Sequence, residues 1–266
     1  MQQIAIITNP KRDVGGEVTR SVAAVLTNVG AQVHFDPEKL DGMSAAVILG
    51  GDGSIMHSAL RAARAGVPII GVNLGRVGYL AEVEVGDISS LARLISGDFA
   101  LEERMLLDVT VGNRTMQALN DAVVSRSGTV QLVSLEVISN AMPLYPNDGI
   151  VRCDGVIVAT PTGSTAYSMA AGGAAVDPRL SCICVTPVCP LSLDSRPLVL
   201  SADKEICIKN LSFSEGESIQ VILTLDGVQT LEVASDDTVI VRRSETVAKF
   251  IKLYETNFFA KLTAKL

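Results

Sequence analysis

Over the first hundred positions, solid apolar runs alternate with stretches whose apolar residues fall at helical spacing. Residues 4–8 are one such run, ended by Asn9-Pro10, a turn signal, so a first β-strand is expected there. Over 18–29 the apolar positions are Val18, Val22, Val25, Leu26 and Val29, one face of a helix, with Gly30 as its stop. Short buried strands are predicted at 31–35, 45–49 and 67–72. A helix is predicted over 54–65, capped by Ser54 and stopped by Gly66. Strands alternating with helices imply a parallel sheet with helices on both faces.

Past residue 100 the period changes to two. Residues 106–111 and 132–138 alternate, the latter with Val133, Leu135 and Val137 on one face. Similar segments recur at 156–159, 205–208, 219–225 and 238–242, separated by Gly, Asn, Asp or Pro. This is the pattern of a largely antiparallel β domain, a sandwich. The stretch 248–266 reads as more helical and as returning to the first domain. The expected fold is therefore α/β + β. A doubly wound N-terminal α/β domain covers 1–100 and is completed by 248–266, and a β-sandwich-like domain covers 101–247.

Composition supports buried strands packed by Ala-rich helices. Of 266 residues, 48% are hydrophobic but only 4% aromatic, with no Trp, so the core must be aliphatic. The net charge of −7, without a basic run, argues against nucleic acid as a partner. An acidic protein that binds anionic nucleotides must do so with a few local cations and a metal. The five cysteines, at 153, 182, 184, 189 and 207, form no C-x-x-C pair and read as reduced thiols. His34 and His57 have no metal spacing. The apolar start is too short for a signal peptide, and 183–191 is broken by prolines and too short to span a bilayer. A cytoplasmic protein without membrane contact is expected.

The most informative short segment is Val47-Ile48-Leu49-Gly50-Gly51-Asp52-Gly53-Ser54. A buried strand runs into Gly-Gly-Asp-Gly and then a helix, whose first free amides form a ready anion site. Ligands of open α/β sheets bind at the carboxyl ends of the strands, where this turn would lie. Asp52 is the wrong charge to hold phosphates directly; it would hold a magnesium ion or accept a hydroxyl proton. No G-x-x-x-x-G-K-[ST] is present, and Gly71, Gly75 and Gly78 lack the spacing of a dinucleotide fingerprint.

The second segment runs Asp154-Gly155-Val156-Ile157-Val158-Ala159-Thr160-Pro161-Thr162-Gly163-Ser164-Thr165-Ala166-Tyr167-Ser168, a strand followed by a dense cluster of hydroxyls. Together with Gly-Gly-Asp-Gly it closely resembles the NAD kinases. Asn73-Leu74-Gly75-Arg76-Val77-Gly78-Tyr79-Leu80, Asn120-Asp121-Ala122-Val123, Gly172-Gly173, Thr186-Pro187-Val188-Cys189-Pro190, Ser195-Arg196-Pro197-Leu198-Val199-Leu200 and Asp226-Gly227 resemble further family segments in the same order, over nearly the whole chain. The family pattern has His where Leu191 stands and Pro where Ala174 stands.

The resemblance implies transfer of a phosphoryl group from ATP or polyphosphate to the adenosine 2′-hydroxyl of NAD, with Mg2+ arriving on the nucleotide rather than in a protein cage. It implies that Asp52 accepts the hydroxyl proton. A carboxylate is a weak base, but positioning and charge neutralisation matter more in such a transfer. The NAD-binding set it implies is Asp52, Gly53, Asn120, Asp121, Arg152, Asp154, Thr162, Thr165, Ala166, Tyr167, Ser168 and Ala170. Within it, Asn120 and Asp121 grip NAD, Asp154 meets the nicotinamide end and Arg152 partners the dinucleotide phosphates. Gly50, Gly51, Gly53 and Ser54 would face the donor phosphates, with Lys11 and Arg12 at the same sheet edge to neutralise them. A homodimer or homotetramer, with sites partly shared between subunits, is also implied. Gly-Gly-Asp-Gly is equally found in lipid kinases and phosphofructokinase-like sugar kinases, which lack the Thr-rich loop. A catalytically silent NAD-binding sensor is the alternative from another class.

Overall fold

The computed structural model describes residues 1–75, 78–128, 131–212, 219–255 and 258–263. The chain divides into two units, Met1–Arg104 with Thr246–Leu266, and Met105–Glu245. Arg76 and Val77, part of one family-like segment, lie outside the described residues.

In the first unit β1 (Gln3–Thr8), α1 (Glu17–Asn28), β2 (Gln32–Phe35), β3 (Ala45–Gly50), α2 (Asp52–Arg64), β4 (Ile69–Asn73) and β5 (Val83–Glu84) alternate as the apolar pattern requires. A 3-10 helix over Val85–Ala92 and α3 (Arg93–Ser96) follow. The strands pair in parallel in the order β2-β1-β3-β4, with β5 on β4. The two faces of this sheet are covered by different helices. Ile4, Ile6, Val47, Leu49, Ile70 and Val72 share a core with Val22 and Leu26 of α1 and Leu91 of the 3-10 helix. On the opposite face Gly71 lies under Ile55 of α2: a Cβ built there would sit 2.4 Å from Ile55 Cδ1 and 3.2 Å from Ala81 Cα. Glycine is what lets α2 settle that close. Gly71→Ala is expected to overpack this contact and lower stability by about 1–3 kcal/mol. An unchanged urea midpoint would show that α2 can shift freely.

Two features of this unit differ from the sequence reading. The helix expected from Ser54 begins at Asp52, with Gly51 as its N-cap. The Ser54 hydroxyl, instead of capping, accepts from Asn9 Nδ2 at 2.9 Å. The segment expected to be helical from 248 is strand as far as Lys252, the end of β18 (Thr238–Lys252), before α5 (Phe258–Thr263). Phe250 of β18 pairs in parallel with Ile69 of β4, and Ile251 and Leu253 enter the core, so β-branched and aromatic burial overrides the helix preference. Glu82, almost wholly buried, anchors this return: its carboxylate accepts from the Leu253 and Tyr254 amides at 3.1 Å and pairs with Lys252 Nζ.

The second unit holds β6 (Ala100–Val111), which begins in the first, then β7 (Arg114–Ala118), β8 (Asp121–Arg126), β9 (Val133–Ser139), β10 (Met142–Pro143), β11 (Ile150–Cys153) and β12 (Gly155–Ala159). After the Thr-rich loop come α4 (Tyr167–Ala170), β13 (Cys182–Val188), β14 (Leu198–Ser201), β15 (Ile206–Asn210), β16 (Val221–Leu225) and β17 (Gln229–Val233). Six strands form one antiparallel sheet in the order β14-β13-β12-β8-β16-β17. Of the others, β10, β11 and β15 pair antiparallel with β9, β15 also pairs with β18, and β6 pairs with β7. Val124, Val156, Val158, Ile183 and Leu223 from the first sheet meet Leu135, Val137, Ile206, Ile208 and Val239 from the second in one core, a sandwich. Each such fully buried side chain contributes about 1.5–3 kcal/mol.

Pro187 stands inside β13 past Val185, the last residue paired to β14, and is in register with Val156 of β12. The outer face of the six-stranded sheet carries a smaller cluster, Val123, Ile157, Ala159, Val176, Cys182 and Cys184, under the chain that follows the Thr-rich loop. All five cysteines are free thiols. Among the described residues no helix is long and apolar enough to cross a membrane.

Candidate active site

In the first unit the loops after β1, β3 and β4 all leave the same, carboxyl edge of the parallel sheet. They are knitted together by polar side chains. Asn9 bonds Ser54, as above, and its Oδ1 accepts from the Lys11 amide at 3.1 Å. A Cβ at Gly50 would lie 2.5 Å from Ser54 Cβ, so the strand can meet the helix start only through glycine. Asn73, nearly fully buried, donates to both oxygens of Glu84 and accepts from the Gly75 amide at 3.0 Å. The exposed Arg12 guanidinium lies over Gly75, and exposed Lys11 precedes it.

Asp52 occupies the first turn of α2, where its charge suits the helix dipole. Its Oδ2 accepts from the Tyr79 amide at 2.8 Å and its Oδ1 from the Leu80 amide at 3.0 Å. This double clamp needs Gly78, since a Cβ there would fall 2.1 Å from Asp52 Oδ1. Burial, and after it the Asp52 charge, push the Tyr79 phenol up from its ordinary range. Asp52 therefore has one fixed position at the sheet edge, beside Gly50, Gly51 and Gly53.

In the second unit a cleft of about 380 Å³ opens on the outer face of the six-stranded sheet. It is lined by Asn120, Asp121, Val123 and Ser125 along β8, Thr224 on β16, Asp226 and Gly227 in the following turn, and Ala166 and Tyr167 from the Thr-rich loop. The period of two places Asp121, Val123 and Ser125 on one face, a ledge of about 13 Å at the usual strand rise. The floor is acidic. Asp121 is 5% exposed, and burial, then the charge of Asp226, raise its carboxyl to about 7. Asp226 is itself pushed up by burial, opposed by the backbone N–H groups it accepts.

The hydroxyls of the Thr-rich loop are largely spent on the loop itself. Thr160 Oγ1 donates to Leu119 O at 2.6 Å and accepts from the Gly163 amide at 3.0 Å. Ser164 Oγ bonds Pro161 O and the Val176 amide. Ser168, predicted to touch NAD, is fully buried and shares a 2.9 Å hydrogen bond with Thr186. Gly173 is pressed against it, since a Cβ there would lie 2.4 Å from Ser168 Oγ.

Of the residues predicted to bind NAD in this unit, Asn120, Asp121, Ala166 and Tyr167 line the cleft, whereas Arg152, Asp154, Thr162, Thr165, Ser168 and Ala170 do not. Thr162 is buried and Thr165 bonds back to its carbonyl. Ala170 is exposed at the end of α4. Arg152 is exposed on β11, while Asp154 accepts from Arg126 Nε at 2.7 Å, a partner the sequence reading did not name. Leu191, in the family's His position, is exposed, and its amide donates to the Arg152 carbonyl at 2.9 Å. The reading also missed Asp226, noting only a turn at Asp226-Gly227. Two signals were present: an Asp-Gly pair between apolar runs marks a tight hairpin, and its acid falls beside whatever the neighbouring strand presents.

A parallel α/β unit with glycine turns at one sheet edge, joined in one chain to an antiparallel sandwich with an acid-floored cleft, is the layout of a candidate two-unit nucleotide-binding protein. Residues 17–99 match the ATP-NAD kinase N-terminal domain, and residues 119–253 the ATP-NAD kinase C-terminal domain. The chain is 40% identical to an NAD kinase of Desulforamulus reducens, covering all of this chain and 97% of that one. It is 38% identical to an NAD kinase of Moorella thermoacetica, covering 100% and 89%. In fold it is similar to an NAD kinase from Archaeoglobus fulgidus solved with ATP, at TM-score 0.81 and 24% identity over 99% of both chains. It is likewise similar to a yeast NADH kinase solved with NADH, at TM-score 0.82 and 24% identity over 99% of this chain and 86% of that one. The chain belongs to the ATP-NAD kinase family.

Proposed function

We propose that this protein is an NAD kinase that moves the terminal phosphoryl group of ATP onto the adenosine 2′-hydroxyl of NAD, with Asp52 accepting the hydroxyl proton. Kinase activity toward NAD follows from family membership; the roles of individual residues are our reading. The observation that carries it is the clamp on Asp52, whose two oxygens are held by the Tyr79 and Leu80 amides. An acid fixed in this way can accept a proton only from a group brought to its one position, which is what a positioned base requires.

Gly50, Gly51, Gly53 and Ser54 take the donor phosphates at the start of α2, helped by Lys11 and Arg12. The cleft of the second unit holds NAD, with Asn120 and Asp121 on its ribose hydroxyls and Tyr167 against a ring. Thr162, Thr165, Ser168 and Ala170 shape the loop that carries Ala166 and Tyr167, and Arg152 and Asp154 meet the rest of the dinucleotide. Among the described residues, no three Asp, Glu, His or Cys side chains gather to hold a metal. A magnesium ion would arrive on the triphosphate with its own waters, near Asp52. Such an ion neutralises phosphate charge. Residues 1–100 with 248–266 and residues 101–247 serve as the two working domains, in a homo-oligomer of the cytoplasm.

Incubation with NAD, ATP and magnesium, read by an NADP-specific dehydrogenase, should yield NADP. No NADP with ATP, polyphosphate or NADH as alternatives, but retained NAD binding, would replace this reading with a silent sensor.

A further inference from the structure

All six backbone N–H and C=O groups of Leu119, Asn120 and Asp121 are hydrogen-bonded. Asp226 Oδ2 accepts from the Leu119 amide at 2.9 Å, and its Oδ1 from the Asn120 and Asp121 amides at 2.7 and 3.1 Å. The Asp226 amide returns a bond to Asp121 O at 3.0 Å, and Thr160 takes the Leu119 and Asn120 carbonyls at 2.6 and 2.8 Å. Asp226 achieves this from a turn in which it and Gly227 both have positive φ, +50° and +68°. Asp226 also lines the cleft with Asp121, so two acids share one floor.

We propose that Asp226 is a positioning residue for NAD: it holds the Leu119–Asp121 backbone, and its charge adds to burial in making NAD binding release a proton from Asp121. This rests on the reading that the cleft holds NAD. Two buried carboxyls in one site do not both ionise readily. Asp226 collects three N–H donors, which favour its charged form, so the shared proton stays on Asp121 in the ligand-free cleft. The other titratable group among the described lining residues is Tyr167; the remaining polar ones are Asn120, Ser125 and Thr224, and none is a cation. Nothing in the lining therefore offsets the second negative charge. Ribose hydroxyls are donors to a carboxylate, so they bind the ionised form. The Asp121 O–H bond breaks, the proton goes to solvent, and the carboxylate accepts the hydroxyls.

The sign follows. Asp121 is raised to about 7, so NAD affinity should climb with pH below that value and level off above it. The test is KM for NAD and kcat between pH 5.5 and 8.5 for the wild type, Asp226→Asn, Asp226→Glu and Asp121→Asn. With one proton released, wild-type KM should fall about tenfold per pH unit up to the inflection. Asp226→Asn should move the inflection down by about one unit or more, with KM changing more than kcat. Asp226→Glu keeps the charge, so it should keep the inflection even if binding weakens, and Asp121→Asn should lose it. An Asp226→Asn inflection at the wild-type pH overturns the proposal, because a purely structural role would leave it there. Carbon NMR of the Asp121 carboxyl in ligand-free protein separates the two readings. Titration near 7 that moves in Asp226→Asn, with a pH-independent KM, would uphold the acid pair and reject the cleft as the NAD site.

Discussion

Asp52→Asn should lower turnover by about 100-fold or more, the range lost with a positioned general base. The substitution does two things that must be told apart. It removes the proton acceptor, and it turns one of two carboxylate oxygens into an NH2 group facing a backbone N–H, either Tyr79 or Leu80. Loss of the acceptor acts on kcat. Displacement of the 78–80 loop acts on whatever that loop supports, and would be seen in KM for either substrate. Gly78→Ala is the control, because it keeps the carboxylate but drives a methyl group toward Asp52 Oδ1, 2.1 Å away in the native geometry. If Asp52 is the base, the Asn variant loses kcat even with both substrates saturating, while Gly78→Ala loses less. Equal kcat losses would assign the effect to the loop, and an unimpaired Asn variant would remove Asp52 from the chemistry.

Gly163→Ala should be the most damaging single methyl group in the second unit. Its Cβ would stand 2.0 Å from Asn120 O and 2.4 Å from Asn120 C, backbone atoms that have no rotamer to yield. The neighbouring backbone is pinned by Asp226 on one side and Thr160 on the other, so relief must come by moving the Thr-rich loop. Overpacking of this kind costs about 1–3 kcal/mol or more, roughly 2–12 °C in melting temperature for a chain of this size. The loop carries Ala166 and Tyr167 into the cleft, so NAD KM should rise about tenfold or more even where the protein stays folded. Thermal melting and NAD KM measured on the same preparation check both halves. A variant with wild-type melting and KM would mean that the loop is free to slide over β8.

The α/β and β-sandwich architecture was legible because each half keeps one period: solid apolar runs in strands buried on both faces, alternation in strands of a sandwich. Boundaries failed where tertiary contacts override local chemistry. Ser54 looks like an N-cap in sequence, but its hydroxyl is drawn to Asn9, forty-five residues away, and the helix starts at Asp52. The 248–252 segment was misread because its partner in the sheet is Ile69 of β4 and its anchor Glu82, far upstream. For the site, the resemblance supplied the two anchor motifs, and the structure sets Asn120, Asp121, Ala166 and Tyr167 around one cleft. What it could not separate was hydroxyls that face the cleft from hydroxyls that hold the loop, since Thr160, Ser164 and Ser168 are spent on local partners that only the fold reveals. The Asp226-Gly227 pair was legible as a hairpin turn but not the backbone its acid would hold, because those partners are more than a hundred residues upstream.

That separation has a meaning in time as well as in space. β8 sits between β12 and β16, and Asp226 follows Asp121 by 105 positions. At about 5–20 residues per second of synthesis, β8 waits roughly 5–20 s on the ribosome with its β16 side unpaired. An apolar edge left open that long invites pairing with other chains. β8 is short and is bounded by charge, Asp121 at its start and Arg126 at its end. The acid that later helps floor the cleft thus stands guard over the nascent strand, against aggregation, before its partner exists.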